Sequence, residues 1–149
     1  MKVVLMVGVS GSGKSTFACR EYPNAVVASA DRYFLDDGGV YRFDPTKLGE
    51  AHGACLRSFV SAVQSGAPCV VVDNTNTTLV ELAPYVSLAR AYGYSVEVVR
   101  VRCNVGVATG RNTHGVGAGT VQGMHDRIEA MFRAGLPPFW GVTVREVGA

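Results

Sequence analysis

Long apolar runs are missing from this sequence. The longest, Val3–Val7, has five residues, far below the roughly 20 that a membrane-spanning helix requires. Closely spaced cysteine pairs are missing too. Cys19, Cys55, Cys69 and Cys103 form no C-x-x-C, and His52, His114 and His125 supply no short-spaced partners, so a zinc site is excluded and reduced thiols among apolar and small neighbours are expected. Charge of one sign is scarce, because 14 Lys and Arg against 12 Asp and Glu leave +2. No strongly basic face follows from that balance. A secretory leader is not expected either, since Gly8, Ser10 and Lys14 follow Val3–Val7 where a longer apolar stretch and a cleavage site would be needed. These absences point to a soluble chain of the cytoplasm, with no membrane partner and no evident obligate protein partner.

What is present is a core. Apolar residues make up 48% of 149, too many for a disordered chain, and the length fits a single domain over residues 1–149. Eleven of the fourteen cations are Arg, the side chain suited to bidentate phosphate contacts. Residues 1–89 carry a net charge of −1 and residues 90–149 a net of +3, which is compatible with a phosphate-rich partner and equally with ordinary surface usage.

Apolar runs and breakers alternate along the chain. Lys2–Gly8, Ala25–Ser29, Cys69–Asp73, Ser95–Arg102 and Val142–Val147 read as strands. Helices are expected from Thr16–Arg20 until Tyr22-Pro23 ends the first, from Asp44-Pro45 to Gly66, from the capping box Thr78-x-x-Glu81 to about Gly93, and from Thr120 to about Ala134. Residues 30–44 read as a loop with at most a short helical turn, and a glycine-rich loop precedes Thr120. Strand and helix in alternation predict an α/β fold with a mostly parallel sheet flanked by helices.

Gly8-Val9-Ser10-Gly11-Ser12-Gly13-Lys14-Ser15 matches the phosphate-loop pattern G-x-x-x-x-G-K-[ST] in full, between a strand and a helix as that pattern requires. The glycines allow backbone N–H groups to converge on a phosphate, and the helix N-terminus adds partial positive charge. Gly8, Val9, Ser10, Gly11, Ser12, Gly13, Lys14, Ser15 and Thr16 are therefore the expected ATP-binding residues, with Lys14 reaching the β- and γ-phosphates and the Ser15 hydroxyl ligating Mg²⁺. Asp73, closing the strand Cys69–Asp73, is expected to hold the same Mg²⁺, the competing role being a turn-capping Asp before Asn74-Thr75-Asn76. Asp31 follows the second strand, where it is either a base for an acceptor hydroxyl or a loop residue paired with Arg32.

With the phosphate loop, four further stretches carry a resemblance: Ser29-Ala30-Asp31, Tyr41-Arg42-Phe43-Asp44-Pro45, Val72-Asp73-Asn74-Thr75-Asn76 and Arg111-Asn112-x-His114-Gly115-Val116. Over about residues 2–134 the chain resembles the polynucleotide-kinase branch of P-loop kinases. The resemblance implies a three-layer P-loop kinase fold with a short lid at about 104–120, and transfer of phosphate from ATP to a hydroxyl on DNA or RNA. It makes Asp31 the general base, sets Asp73 beside Ser15 and the metal, and makes Arg111 the lid arginine on the phosphates. Arg127 and Arg133, six apart on one helix, receive no role.

Two positions depart from that pattern. Phe34 stands where phage 5′-kinases place an Arg that grips the substrate phosphate, and Gly117 stands where a proline is expected. The chain also resembles the small phage kinases that phosphorylate the 5-hydroxymethyl group of 5-hydroxymethyluracil in DNA. That acceptor must leave the base stack to be reached. Tyr33, Phe34, Tyr41 and Phe43 lie near Asp31 in sequence and could stack on it, although core packing is the expected role of at least two of them. A 5′-hydroxyl acceptor and a small-molecule acceptor are the alternatives. Nucleic acid would be held through residues from 90 onward and the aromatic loop 33–43.

Overall fold

The computed structural model describes residues 1–148. Five strands, β1 (Lys2–Val7), β2 (Val26–Ala28), β3 (Cys69–Asp73), β4 (Ser95–Arg102) and β5 (Thr143–Gly148), form one all-parallel sheet in the order β2-β3-β1-β4-β5. β1 is the central strand because it is apolar on both faces: Val3 to Val7 are completely buried, as a strand covered by helices on both sides must be. On one face Val3, Leu5, Val7, Val70, Val72 and Val98 pack against α2 (Leu48–Gln64), α3 (Leu79–Ala91) and α5 (Ala118–Ala134). On the other, Val4, Met6, Val71, Val99 and Val101 pack against Phe17 and Ala18 of α1 (Lys14–Glu21). The result is a three-layer α/β sandwich. Among the described residues no helix is long and apolar enough to cross a membrane.

The local signals act largely as expected. Asp44 caps a 3-10 turn, Pro45–Lys47, that leads into α2, and Gly66 ends that helix at φ 75. Thr78 and Glu81 form the full capping box of α3. The helix after the phosphate loop begins at Lys14 rather than Thr16, because Gly13, at φ 94, turns the chain directly into it.

The segment 104–120, expected to act as a lid, differs most from expectation. Residues 105–111 form a helix, α4 (Val105–Arg111), capped by the Asn104 side chain, and α5 begins at Ala118, so Gly119 is helical. Only Asn112 to Gly117 remain non-helical between them. Cys19 is exposed on α1 rather than lying in the core, whereas Cys55 is buried; all four thiols are free.

Candidate functional site

The carboxyl ends of β1, β2 and β3 open together on one edge of the sheet, where a parallel α/β fold presents its ligand crevice. There a cavity of about 300 Å³ is lined by Ser10, Gly11, Gly13, Lys14, Ser15, Thr16, Asp31, Asp73, Asn74, Thr75 and the segment Arg111–His114. Sequence reasoning named Lys14, Ser15, Asp31, Asp73 and Arg111, and one cavity collects all five. Gly8 and Val9 instead line a separate cavity beneath the phosphate loop, with Arg100 and His125.

The phosphate loop is set up for anions. Gly11 and Gly13 have φ of 81 and 94, the left-handed region that a side chain opposes. Gly11 touches α4: a Cβ there would lie 2.9 Å from both the Ala108 carbonyl carbon and Asn112 Cβ. The Lys14 ammonium is buried and donates to the Val9 carbonyl at 2.9 Å. Burial pushes its pKa down, and the nearby charges of Asp73 and Asp31 oppose that shift. A buried cation whose hydrogen-bond acceptor is one carbonyl is poorly compensated, which suits a phosphate that would bring it charge. The buried Ser12 Oγ also lacks a partner.

Ser15 Oγ, in the first turn of α1, donates to Asp73 Oδ2 at the end of β3 at 2.6 Å. A hydroxyl and a carboxylate so placed are hard oxygen donors that suit Mg²⁺. The residues present therefore fit Mg²⁺ and a nucleoside triphosphate.

Asp31 lies in a 3-10 turn (Ala30–Phe34) capped by Ser29. Its carboxylate is exposed and points at the cavity, whereas Arg32 turns away and donates to the Val27 carbonyl. The Asp31–Arg32 pair open from the sequence is thus absent. Asn74, next to Asp73, accepts from Ala30 N at 2.9 Å and donates to Cys55 Sγ at 3.4 Å. That amide ties the Asp31 turn to the end of β3. Tyr41 Oη donates to Asp31 Oδ1 at 3.5 Å, and His114 Nε2 lies 3.5 Å from Oδ2. Burial, then the Asp31 charge, push the Tyr41 hydroxyl up to about 12.

Neither Asn74 nor His114 was singled out as a site residue. The stretches Val72–Asn76 and Arg111–Val116 pointed to them, yet only the packed fold shows which atoms they meet.

The aromatic loop divides. Phe34 is 5% exposed and sits edge-on to Tyr33, Tyr41 and Phe43, so it belongs to the core. Tyr41 is half-buried, with the His114 ring 4.3 Å from its own. Tyr33 and Phe43 are exposed.

The cations beyond residue 90 are mostly engaged within the fold. Arg100 is buried against Glu129, Glu146 and the Phe132 ring. Arg102 pairs with Glu146, Arg145 pairs with Glu21, and Arg90 donates to the Trp140 carbonyl. Arg127 donates to Thr77 Oγ1, and Arg111 to Cys103 Sγ at 3.1 Å. Of the cations from residue 90 onward, through which nucleic acid was expected to be held, Arg111 is the one that lines the cavity.

The family model described as AAA domain, AAA_33, matches residues 3–136. Human NEDD4-binding protein 2 is 37% identical over 97 residues, which span 63% of this chain and 5% of that protein. A chain of the Pnkp1/Rnl/Hen1 RNA repair complex superposes with a TM-score of 0.72 at 20% identity, covering 89% of this chain and 45% of that one. Shikimate kinase from Acinetobacter baumannii, in complex with shikimate, gives 0.58 at 12% identity over all of this chain and 84% of its own. These structural likenesses establish a P-loop kinase-like α/β fold. The chain thus spans less than half of each of the two longer proteins and most of the length of the compact shikimate kinase.

Proposed function

The chain belongs to the AAA_33 family of AAA domains, and from that premise we propose that it is an ATP-dependent kinase whose acceptor is a hydroxyl carried by nucleic acid. The observation that carries this reading is the single cavity in which Lys14, the Ser15–Asp73 pair, Asp31 and Arg111 meet. The chain works as one kinase domain, with residues 104–120 as its lid. The phosphate-loop amides and Lys14 hold the triphosphate, Lys14 leaving the Val9 carbonyl for the β- and γ-phosphates. Mg²⁺, held by Ser15 and Asp73, supplies charge neutralisation when bound.

Asp31 accepts the proton of the acceptor hydroxyl. The acceptor oxygen forms a bond to the γ-phosphorus as the bond from that phosphorus to the bridging oxygen breaks, and ADP leaves with the electron pair. Arg111 stabilises the charge on the transferring group.

For the acceptor, the reading we favour is the 5-hydroxymethyl group of 5-hydroxymethyluracil in DNA. Supporting it, the position where a 5′-kinase carries its phosphate-gripping Arg holds Phe34, whose ring is buried in the core. Exposed Tyr33 and Phe43 offer faces to a base taken out of the stack, at a cost of a few kcal/mol.

Two duplexes with γ-labelled ATP test this. One carries internal 5-hydroxymethyluracil and blocked 5′ ends; the other has plain thymine and free 5′-hydroxyls. Label on the first duplex is expected. Label only on the second overturns the acceptor in favour of a 5′-kinase, and label on neither points to a small-molecule kinase.

A further inference from the structure

The cavity contains a side chain that the phosphoryl-transfer scheme does not use. Residues 112–116 form a closed loop at the end of α4. The Asn112 side chain accepts from Val116 N at 3.0 Å and donates to Val116 O at 2.7 Å, and Gly115, at φ 70, makes the turn. His114 is carried on that loop. Its Nε2 lies 3.5 Å from Asp31 Oδ2, and its ring packs on Tyr41, tilted by 47°. Nδ1 is buried with no hydrogen-bond partner.

A carboxylate only accepts hydrogen bonds, so facing Asp31 assigns the proton of a neutral His114 to Nε2. Nδ1 then carries a lone pair that nothing else in the fold addresses. Asp31 is thereby bracketed: Tyr41 Oη approaches one carboxylate oxygen from the loop after β2, and His114 approaches the other from the lid. Asp31 itself is exposed, and exposed carboxylates reorient freely unless neighbours hold them.

We propose that His114 is a positioning residue for Asp31, holding its carboxylate in the orientation that receives the acceptor proton. The inference rests on Asp31 being the base. It gives the lid two tasks carried by neighbouring residues: Arg111 serves the phosphates, and His114, three residues on, serves the acceptor side. The base is then fully oriented only while the 112–116 loop is seated.

The test compares His114→Ala, His114→Gln, His114→Phe and Asp31→Asn in steady-state transfer, using whichever duplex the two-duplex assay labels. Loss of orientation by an ångström costs up to about 100-fold, so His114→Ala is expected to lower kcat by about 10- to 100-fold while leaving KM for ATP within about twofold. His114→Phe keeps a ring on Tyr41 but has no donor, and should fall as far. His114→Gln keeps an N–H donor and should recover most of the lost kcat. Full activity in His114→Ala or His114→Phe overturns the proposal, as does a His114→Gln no better than alanine. Normal turnover by Asp31→Asn overturns the assignment of the base itself, whereas an inactive Asp31→Asn beside a fully active His114→Ala overturns only the role of His114.

Discussion

Replacing Gly11 by Ala tests whether α4 rests on the phosphate loop. The new Cβ would lie 2.9 Å from the Ala108 carbonyl carbon and from Asn112 Cβ, and closer still to the Ala108 oxygen. Carbon atoms at rest sit about 3.5–4.0 Å apart, so relieving the carbon contacts alone requires α4 to retreat by roughly 0.6–1 Å, and the closer oxygen requires more. Two costs then add. Holding an alanine in the left-handed region that Gly11 occupies costs about 1–2 kcal/mol. Overpacking against backbone costs about 1–3 kcal/mol more. Gly13→Ala is the control, since Gly13 has a similar φ of 94 but nothing within 4 Å of an added Cβ. It should carry the first cost alone.

At about 2–4 °C per kcal/mol for a chain of this size, Gly13→Ala should lower the Tm of the nucleotide-free protein by roughly 2–8 °C. Gly11→Ala should lower it by a further 2–12 °C or so. Thermal unfolding followed by circular dichroism measures both. Equal shifts for the two variants would refute the reasoning, because α4 would then not be seated against the loop.

Two further predictions concern the core and the buried lysine. Phe59 is completely buried, edge-on to Tyr85 at 5.0 Å, so Phe59→Ala should cost about 3–5 kcal/mol in urea unfolding with phosphate-loop geometry unchanged; a loss below about 1 kcal/mol would mean that α2 does not anchor this face. The depressed pKa of Lys14 gives the second, with its sign set by proton counting. Between its folded value and 10.5 the unfolded chain binds more protons, so stability from this group is present above 10.5 and lost as pH falls through the folded value. Lys14→Met removes that dependence and should gain on the wild type in urea unfolding as pH falls from 10.5. A difference that stays flat with pH would show that burial imposes no cost on the ammonium.

Legibility varied along the chain for physical reasons. Lys2–Val7 and Cys69–Asp73 were readable as buried strands because short continuous apolar runs rich in valine suit a strand covered on both faces, and the Thr78–Glu81 box sets a helix start by local hydrogen bonds. Helix α4 was missed because Val105–Arg111 contains two glycines in seven residues and its stability comes from contact with Gly11 and α5 rather than from propensity. The loop aromatics were ambiguous for the same reason: nothing local distinguishes the buried Phe34 from the exposed Phe43.

By itself the sequence determined the phosphate loop, the α/β alternation with a mostly parallel sheet and the candidacy of Asp31 and Asp73, because each depends on residue type at fixed local spacing; the candidacy of Arg111 came from the family resemblance. Only the tertiary structure decided that Ser15 bonds Asp73 across 58 residues, that Asn74 tethers the Asp31 turn, and that His114 faces Asp31 from the loop after α4. Those pairings arise where separate strand ends and loops converge. Their partners are set by the packing of whole elements, which no short stretch of chain encodes.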